Sequence, residues 1–130
     1  MSKPILQTVT FPVPAHEVYE ALMDSKKHAA FTGGAAEISR EVGGAFSAYD
    51  GYISGRNLEL VPDRKIVQSW RAVDWEQDVF STITFELTPV PGGTRLDFTH
   101  SDVPDGTETE FAQGWIDNYW EPMKAFLESK

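Results

Sequence analysis

The stretch Lys65-Ile66-Val67-Gln68-Ser69-Trp70-Arg71-Ala72-Val73 decides the fold. Read with a period of two, it separates Ile66, Gln68, Trp70 and Ala72 from Val67, Ser69, Arg71 and Val73. That is the pattern of a strand with one covered face. Upstream, Pro62-Asp63 is a turn signal, and Tyr52 to Val61 is another strand, in which Gly55 marks a bulge or a close approach. Asp50-Gly51 predicts a two-residue hairpin, because both central positions of a type I′ turn need positive φ. Ala45 to Tyr49 is the short strand before it. Downstream, Val79, Ser81, Ile83, Phe85 and Leu87 alternate with Phe80, Thr82, Thr84 and Glu86. Pro91-Gly92-Gly93 turns the chain again, and Leu96, Phe98 and His100 alternate with Arg95, Asp97 and Thr99. The result is a meander of antiparallel strands, each mostly apolar on one face.

The two ends supply what covers that face. Ile5, Gln7, Val9 and Phe11 alternate with Leu6, Thr8 and Thr10, a further strand ended by Pro12. Pro14 fits the first position of a helix, and Ala15, Val18, Tyr19, Leu22 and Met23 recur at helical spacing over residues 14–23. Asp24 and Ser25 can cap a second, shorter helix reaching about Phe31. Near the C-terminus, Thr107 and Glu110 have capping-box spacing. Phe111, Ala112, Trp115, Ile116, Tyr119, Met123, Phe126 and Leu127 form a broad apolar stripe. Gly114 weakens this helix, and Pro122 predicts a kink near Asn118. About 20 helical residues span roughly 30 Å, enough to cross the sheet. The fold class predicted is α+β, with a curved antiparallel sheet wrapped around one long C-terminal helix.

Composition narrows the function. The chain has 130 residues, a length expected of one domain over 1–130, with a net charge of −9 and no cysteine. Disulfides, thiolate catalysis and cysteine metal sites are excluded. Three scattered histidines do not suggest zinc. The acidic balance argues against nucleic acid and against an anionic membrane surface. No run of 18 apolar residues exists, and Met1 to Pro12 lacks a signal-peptide apolar block, so cytoplasm is the default expectation. Phosphate-loop, dinucleotide, nucleophile-elbow and zinc-protease motifs are absent, and no cofactor is called for. Asp102, Asp105, Glu108 and Glu110 gather before and within the start of the last helix. They lack calcium-loop spacing and suit a helix N-terminus better than a metal.

Several motifs carry a resemblance. Asp50-Gly51-Tyr52-Ile53-Ser54-Gly55, Glu59-Leu60-Val61-Pro62, Lys65 to Arg71 and Phe80-Ser81-Thr82-Ile83-Thr84-Phe85 resemble the activator of heat-shock protein 90 ATPase homologue family at its C-terminal domain. Phe31-Thr32, Gly43-Gly44-Ala45-Phe46, Gly92-Gly93-Thr94, Gly114-Trp115 and Tyr119-Trp120 extend it over nearly the whole chain. The resemblance implies the START-like, helix-grip fold, with a cavity between sheet and long helix. It also implies heat-shock protein 90 as a partner. Eukaryotic activators of the family carry a separate N-terminal domain, for which this chain is expected to have no room.

The aromatic set points to the cavity. Four Trp, four Tyr and eight Phe are present, and Trp70 and Phe85 fall on inward strand faces while Phe111, Trp115 and Tyr119 fall on the helix stripe. Phe31 and Phe46 are expected near the sheet opening. Such rings either fill a core or wall a site for an apolar or aromatic ligand. His28, Arg56, His100 and Tyr119 are the polar groups that could face it. His100 shares parity with Leu96 and Phe98, so it points inward, but no partner acid identifies it as a catalyst. The sequence therefore predicts a non-catalytic domain binding a small hydrophobic ligand. A co-chaperone-like module acting on heat-shock protein 90 is the alternative, and a cyclase- or hydrolase-like enzyme using His100 or Tyr119 is the third. A monomer or weak homodimer is expected.

Overall fold

The computed structural model describes residues 4–73, 75, 79–104 and 106–128. Asp105 lies outside them. β1 (Ile5–Phe11) is followed by α1 (Ala15–Met23) and α2 (Ser25–Thr32). Then come β2 (Glu37–Ile38), β3 (Ala45–Ala48), β4 (Ile53–Val61), β5 (Lys65–Ala72), β6 (Ser81–Val90) and β7 (Gly93–Ser101). A final helical run comprises α3 (Glu108–Trp115), a π-helical segment (Ile116–Trp120) and α4 (Glu121–Glu128). The sheet is antiparallel in the order β1-β7-β6-β5-β4-β3-β2. This is the α+β, helix-grip arrangement, with one sheet face against the C-terminal helix.

Strand parity sets the core. In β5, Ile66, Gln68, Trp70 and Ala72 are buried and the residues between them are half-buried. In β6, Ser81, Ile83, Phe85 and Leu87 face inward. Phe98 faces Phe85 across β6 and β7, with ring centroids 5.2 Å apart. Phe11, Ile66, Ile83, Leu96, Met123 and Leu127 are almost fully buried beside them. Each such side chain contributes roughly 1.5–3 kcal/mol relative to exposure.

Several local expectations are corrected. Asp50-Gly51 does not close a two-residue hairpin: Ala48 pairs with Ile53, so residues 49–52 form the connection. Tyr49, Asp50 and Gly51 all adopt positive φ, of 51°, 58° and 92°. Asp50 Oδ1 accepts from Ala35 N at 2.9 Å, which ties the turn to another loop instead of to a tight hairpin. Gly55 is a close approach, since a Cβ there would lie 1.8 Å from Ser69 O; the bulge falls later, between Asn57 and Glu59. The two-residue β2 has no separate sequence signal. Pro14 is the N-cap of α1 with extended dihedrals, one position earlier than expected. Asp24 caps α2 as expected, accepting from Lys27 N at 3.0 Å.

The long helix departs most. Thr107 makes no capping box: its dihedrals are near-helical, and its hydroxyl donates to Pro104 O. Ile116, expected in the apolar stripe, is 37% exposed, whereas the unassigned Trp120 is buried. The π segment explains both changes. Glu121 N donates to Ile116 O, five residues back, so the wider turn shifts the inward face by about one residue. The irregularity surrounds Asn118, where Pro122 was expected to disturb the helix.

Candidate functional site

An apolar recess of about 370 Å³ opens between the start of β4, the turn at Tyr49–Gly51 and the α3–π junction. Its wall is Tyr49, Tyr52, Ile53, Trp70, Phe111, Gly114, Trp115, Asn118 and Tyr119. None of these is charged. Trp70 meets Phe111 edge-on at 5.5 Å between centroids, and Trp115 lies 4.5 Å from Tyr119. Tyr49 anchors the rim by donating its hydroxyl hydrogen to Asn118 O at 2.7 Å. In a regular α-helix that carbonyl would receive an N–H from position 122, and Pro122 has none. Burial pushes the Tyr49 hydroxyl pKa up to about 12. Tyr119 is raised as well, by burial first and by Tyr49 second. Both hydroxyls therefore stay protonated at neutral pH.

Trp70, Phe111, Trp115 and Tyr119 are the expected residues that meet here. Phe46, Phe85 and His28 instead line an interior void of only about 10 Å³, large enough for one water at most. Trp70, Trp115 and Tyr119 border both spaces. Phe31 packs behind this wall against His28, Tyr119 and Phe126. Arg56 corrects the expectation. It is exposed, pairs with Ala45 across the β3–β4 ladder, and donates from a guanidinium nitrogen to Gly43 O at 3.1 Å. Its strand parity was obscured by the close approach at Gly55. Tyr49, Tyr52, Ile53, Gly114 and Asn118 were not anticipated as wall residues. A tyrosine on each side of Asp50-Gly51 was the available signal.

His100 lies in the core, fully buried, away from the recess wall. Its two nitrogens have fixed roles. Trp115 Nε1–H donates to His100 Nδ1 at 3.0 Å, and an indole N–H can only donate, so Nδ1 is the acceptor. The ring proton therefore sits on Nε2 and is donated to Ser81 Oγ at 2.7 Å. Ser81 passes its own hydroxyl hydrogen to Trp70 O at 2.8 Å. A serine and histidine this close could be a nucleophile and its base. The direction of the chain forbids it, because the nitrogen facing Ser81 already holds a proton. Burial pushes the His100 pKa down to about 3, which keeps the ring neutral. His28 is pushed down to about 4 for the same reason, and its buried Nδ1 has no hydrogen-bond partner among the described residues.

The described residues contain no cluster of three or more His, Cys, Asp or Glu placed to hold a metal ion. No described helix is long and apolar enough to cross a membrane. The family model for Activator of Hsp90 ATPase homolog 1-like protein matches residues 12–128. The chain belongs to that family. Among family relatives, Activator of 90 kDa heat shock protein ATPase homolog 2 from Mus musculus is 31% identical over 93% of this chain and 37% of its own length. Homolog 1 from Homo sapiens is 33% identical over 88% of this chain and 34% of its own. The chain thus spans about a third of these Hsp90 ATPase activator homologues. The crystal structure of PFC0360w, an HSP90 activator from Plasmodium falciparum, superposes with a TM-score of 0.92 at 28% identity. That match covers 98% of this chain and 97% of the other. CV1439 from Chromobacterium violaceum has the same fold, with a TM-score of 0.82 at 26% identity over 98% and 99% of the two chains.

Proposed function

We propose that this chain is a co-chaperone-like interaction module that docks on Hsp90 and modulates its ATPase, and that it is not itself a catalyst. The observation that carries the reading is the nearly end-to-end match to the Plasmodium HSP90 activator, at a TM-score of 0.92 over 97% of that chain. The net charge of −9 favours a basic face on the partner, where complementary potentials raise the association rate. The locked neutral His100 supports a non-catalytic role. The test is the steady-state ATPase rate of purified Hsp90 titrated with this protein, together with a pull-down. A saturable rate change that weakens with added salt is the expected outcome. No binding and an unchanged rate would remove the proposal.

A second reading concerns the recess. Its volume and uncharged aromatic wall favour a small neutral apolar or aromatic ligand, in the range typical of ligand pockets. Trp70 and Trp115 border the space, so a bound aromatic should change tryptophan emission. Gly114 offers a specific control. The nearest atom to an added Cβ is Asn118 Nδ2 at 3.8 Å, so Gly114→Leu would fill the recess without a backbone clash. Emission changes with an aromatic panel that vanish in this variant support the site; changes that persist place the ligand elsewhere.

A further inference from the structure

Three of the four tryptophans are buried to a similar degree, yet their indole N–H groups are served differently. Trp115 Nε1 donates to His100 Nδ1 at 3.0 Å, and Trp120 Nε1 donates to Gln7 Oε1 at 2.6 Å. Trp70, only 5% exposed, has no acceptor for its N–H among the described residues. The buried Tyr119 hydroxyl has none among them either. Other buried polar side chains are answered within the chain. Asn57 donates to Ser39 O, Gln68 to Asn57 Oδ1, Ser81 to Trp70 O and Thr94 to Val13 O. Buried donors are bonded as a rule, so an open one calls for an explanation. The two open donors share a place, since Trp70 and Tyr119 both belong to the recess wall. His28, whose Nδ1 also lacks a partner among the described residues, borders the small void behind that wall and not the recess.

We infer that the recess takes a neutral, compact ring compound bearing a carbonyl oxygen, which accepts from Trp70 Nε1–H while the hydrocarbon part lies on Phe111, Trp115 and Tyr119. The inference rests on the reading of the recess as a ligand site. An indole N–H can only donate, so the occupant has to supply the acceptor. The rings that meet Trp70 edge-on, Phe111 and Trp75, both at 5.5 Å between centroids, offer π faces, which are weaker acceptors than an oxygen. No wall residue is charged, so a carboxylate would enter as a buried charge without a counter-ion. A carbonyl oxygen has two lone pairs and brings no hydrogen of its own, which suits a wall whose open groups are an N–H and an O–H. The volume of about 370 Å³ is at the small end for ligand pockets, which suits a compact ring system better than a long-chain lipid.

The probes are α-tetralone and tetralin, which share a ring skeleton and differ in the carbonyl. The full chain has four tryptophans, so its nitrogen–proton correlation spectrum carries four indole signals, and Trp70→Phe identifies that of Trp70. α-Tetralone should move the Trp70 indole proton downfield in a saturable way, and tetralin should not. The Trp120 signal is the internal control, because that indole is bonded to Gln7 and lies off the recess wall. α-Tetralone should bind about fivefold more tightly than tetralin, the gain expected of one net hydrogen bond. Trp70→Phe keeps a ring and removes the N–H, and should bring the two affinities together. The comparison of the two probes on the unmodified chain stands without that variant. Equal affinities, a Trp70 signal that does not move downfield, or an advantage that persists in Trp70→Phe would each overturn the carbonyl assignment while leaving the recess a ligand site. Binding of neither compound would overturn both.

Discussion

His100 shows how one residue's surroundings decide between chemistry and structure. The same imidazole would be a base if Nε2 were unprotonated, and the Trp115 indole prevents that by occupying Nδ1. The relay from Trp115 through His100 and Ser81 to Trp70 O joins the long helix to β5, β6 and β7. Removing one member leaves a buried group without its partner, which costs about 1–3 kcal/mol. Ser81→Ala should therefore lower the urea unfolding free energy by that amount, since His100 Nε2–H loses its acceptor in a site with no access to water. A nucleophilic Ser81 would behave differently, with ester turnover lost and stability kept. An unchanged denaturation curve would refute the structural role.

At the scale of elements, the long helix is held by a bond its own backbone lacks. Tyr49 Oη donates to Asn118 O, and Pro122 is the reason that carbonyl needs a donor. Tyr49→Phe should cost about 1 kcal/mol in the native chain. In a Pro122→Ala background an amide returns and the same change should cost clearly less, so a double-mutant cycle reads the coupling. Equal costs in both backgrounds would mean that the hydroxyl acts independently of the proline. This bond also explains what the sequence could and could not disclose. Strand parity is a local period, so the inward faces of β5, β6 and β7 were legible, and with them Trp70, Phe85 and His100. The helix stripe was legible at Trp115, Tyr119, Met123 and Leu127, all buried, and failed where a constant 3.6-residue period was carried across the π segment, which turns Ile116 out and brings Trp120 in. Tyr49 and Asn118 are 69 residues apart, and nothing local marks them as neighbours. Arg56 was ambiguous because Gly55 concealed the parity of β4.

For the whole molecule, the balance of buried histidine against surface acid sets the response to pH. His28 and His100 are neutral in the fold, with pKa values pushed by burial from the ordinary 6.5 to about 4 and about 3. In the unfolded chain both titrate near 6.5, so below that pH the unfolded state binds more protons. Their contribution to stability is fully present above about pH 6.5 and is lost as pH falls towards the folded values. Each proton is worth about 1.4 kcal/mol per pH unit, and the pair at most about 2.7. The opposing effect is relief of self-repulsion in a chain of net charge −9. Carboxylates take up protons mainly near pH 4, so between about pH 6.5 and 5 the histidines prevail. Unfolding free energy measured in urea should therefore fall steadily across that window. His28→Leu isolates the cause: it removes the buried Nδ1 that lacks a partner, so stability at pH 7 should hold or rise. The slope below pH 6.5 should drop by about half, leaving the His100 share. Parallel stability curves for the two proteins would exclude His28 as a source of the acid sensitivity.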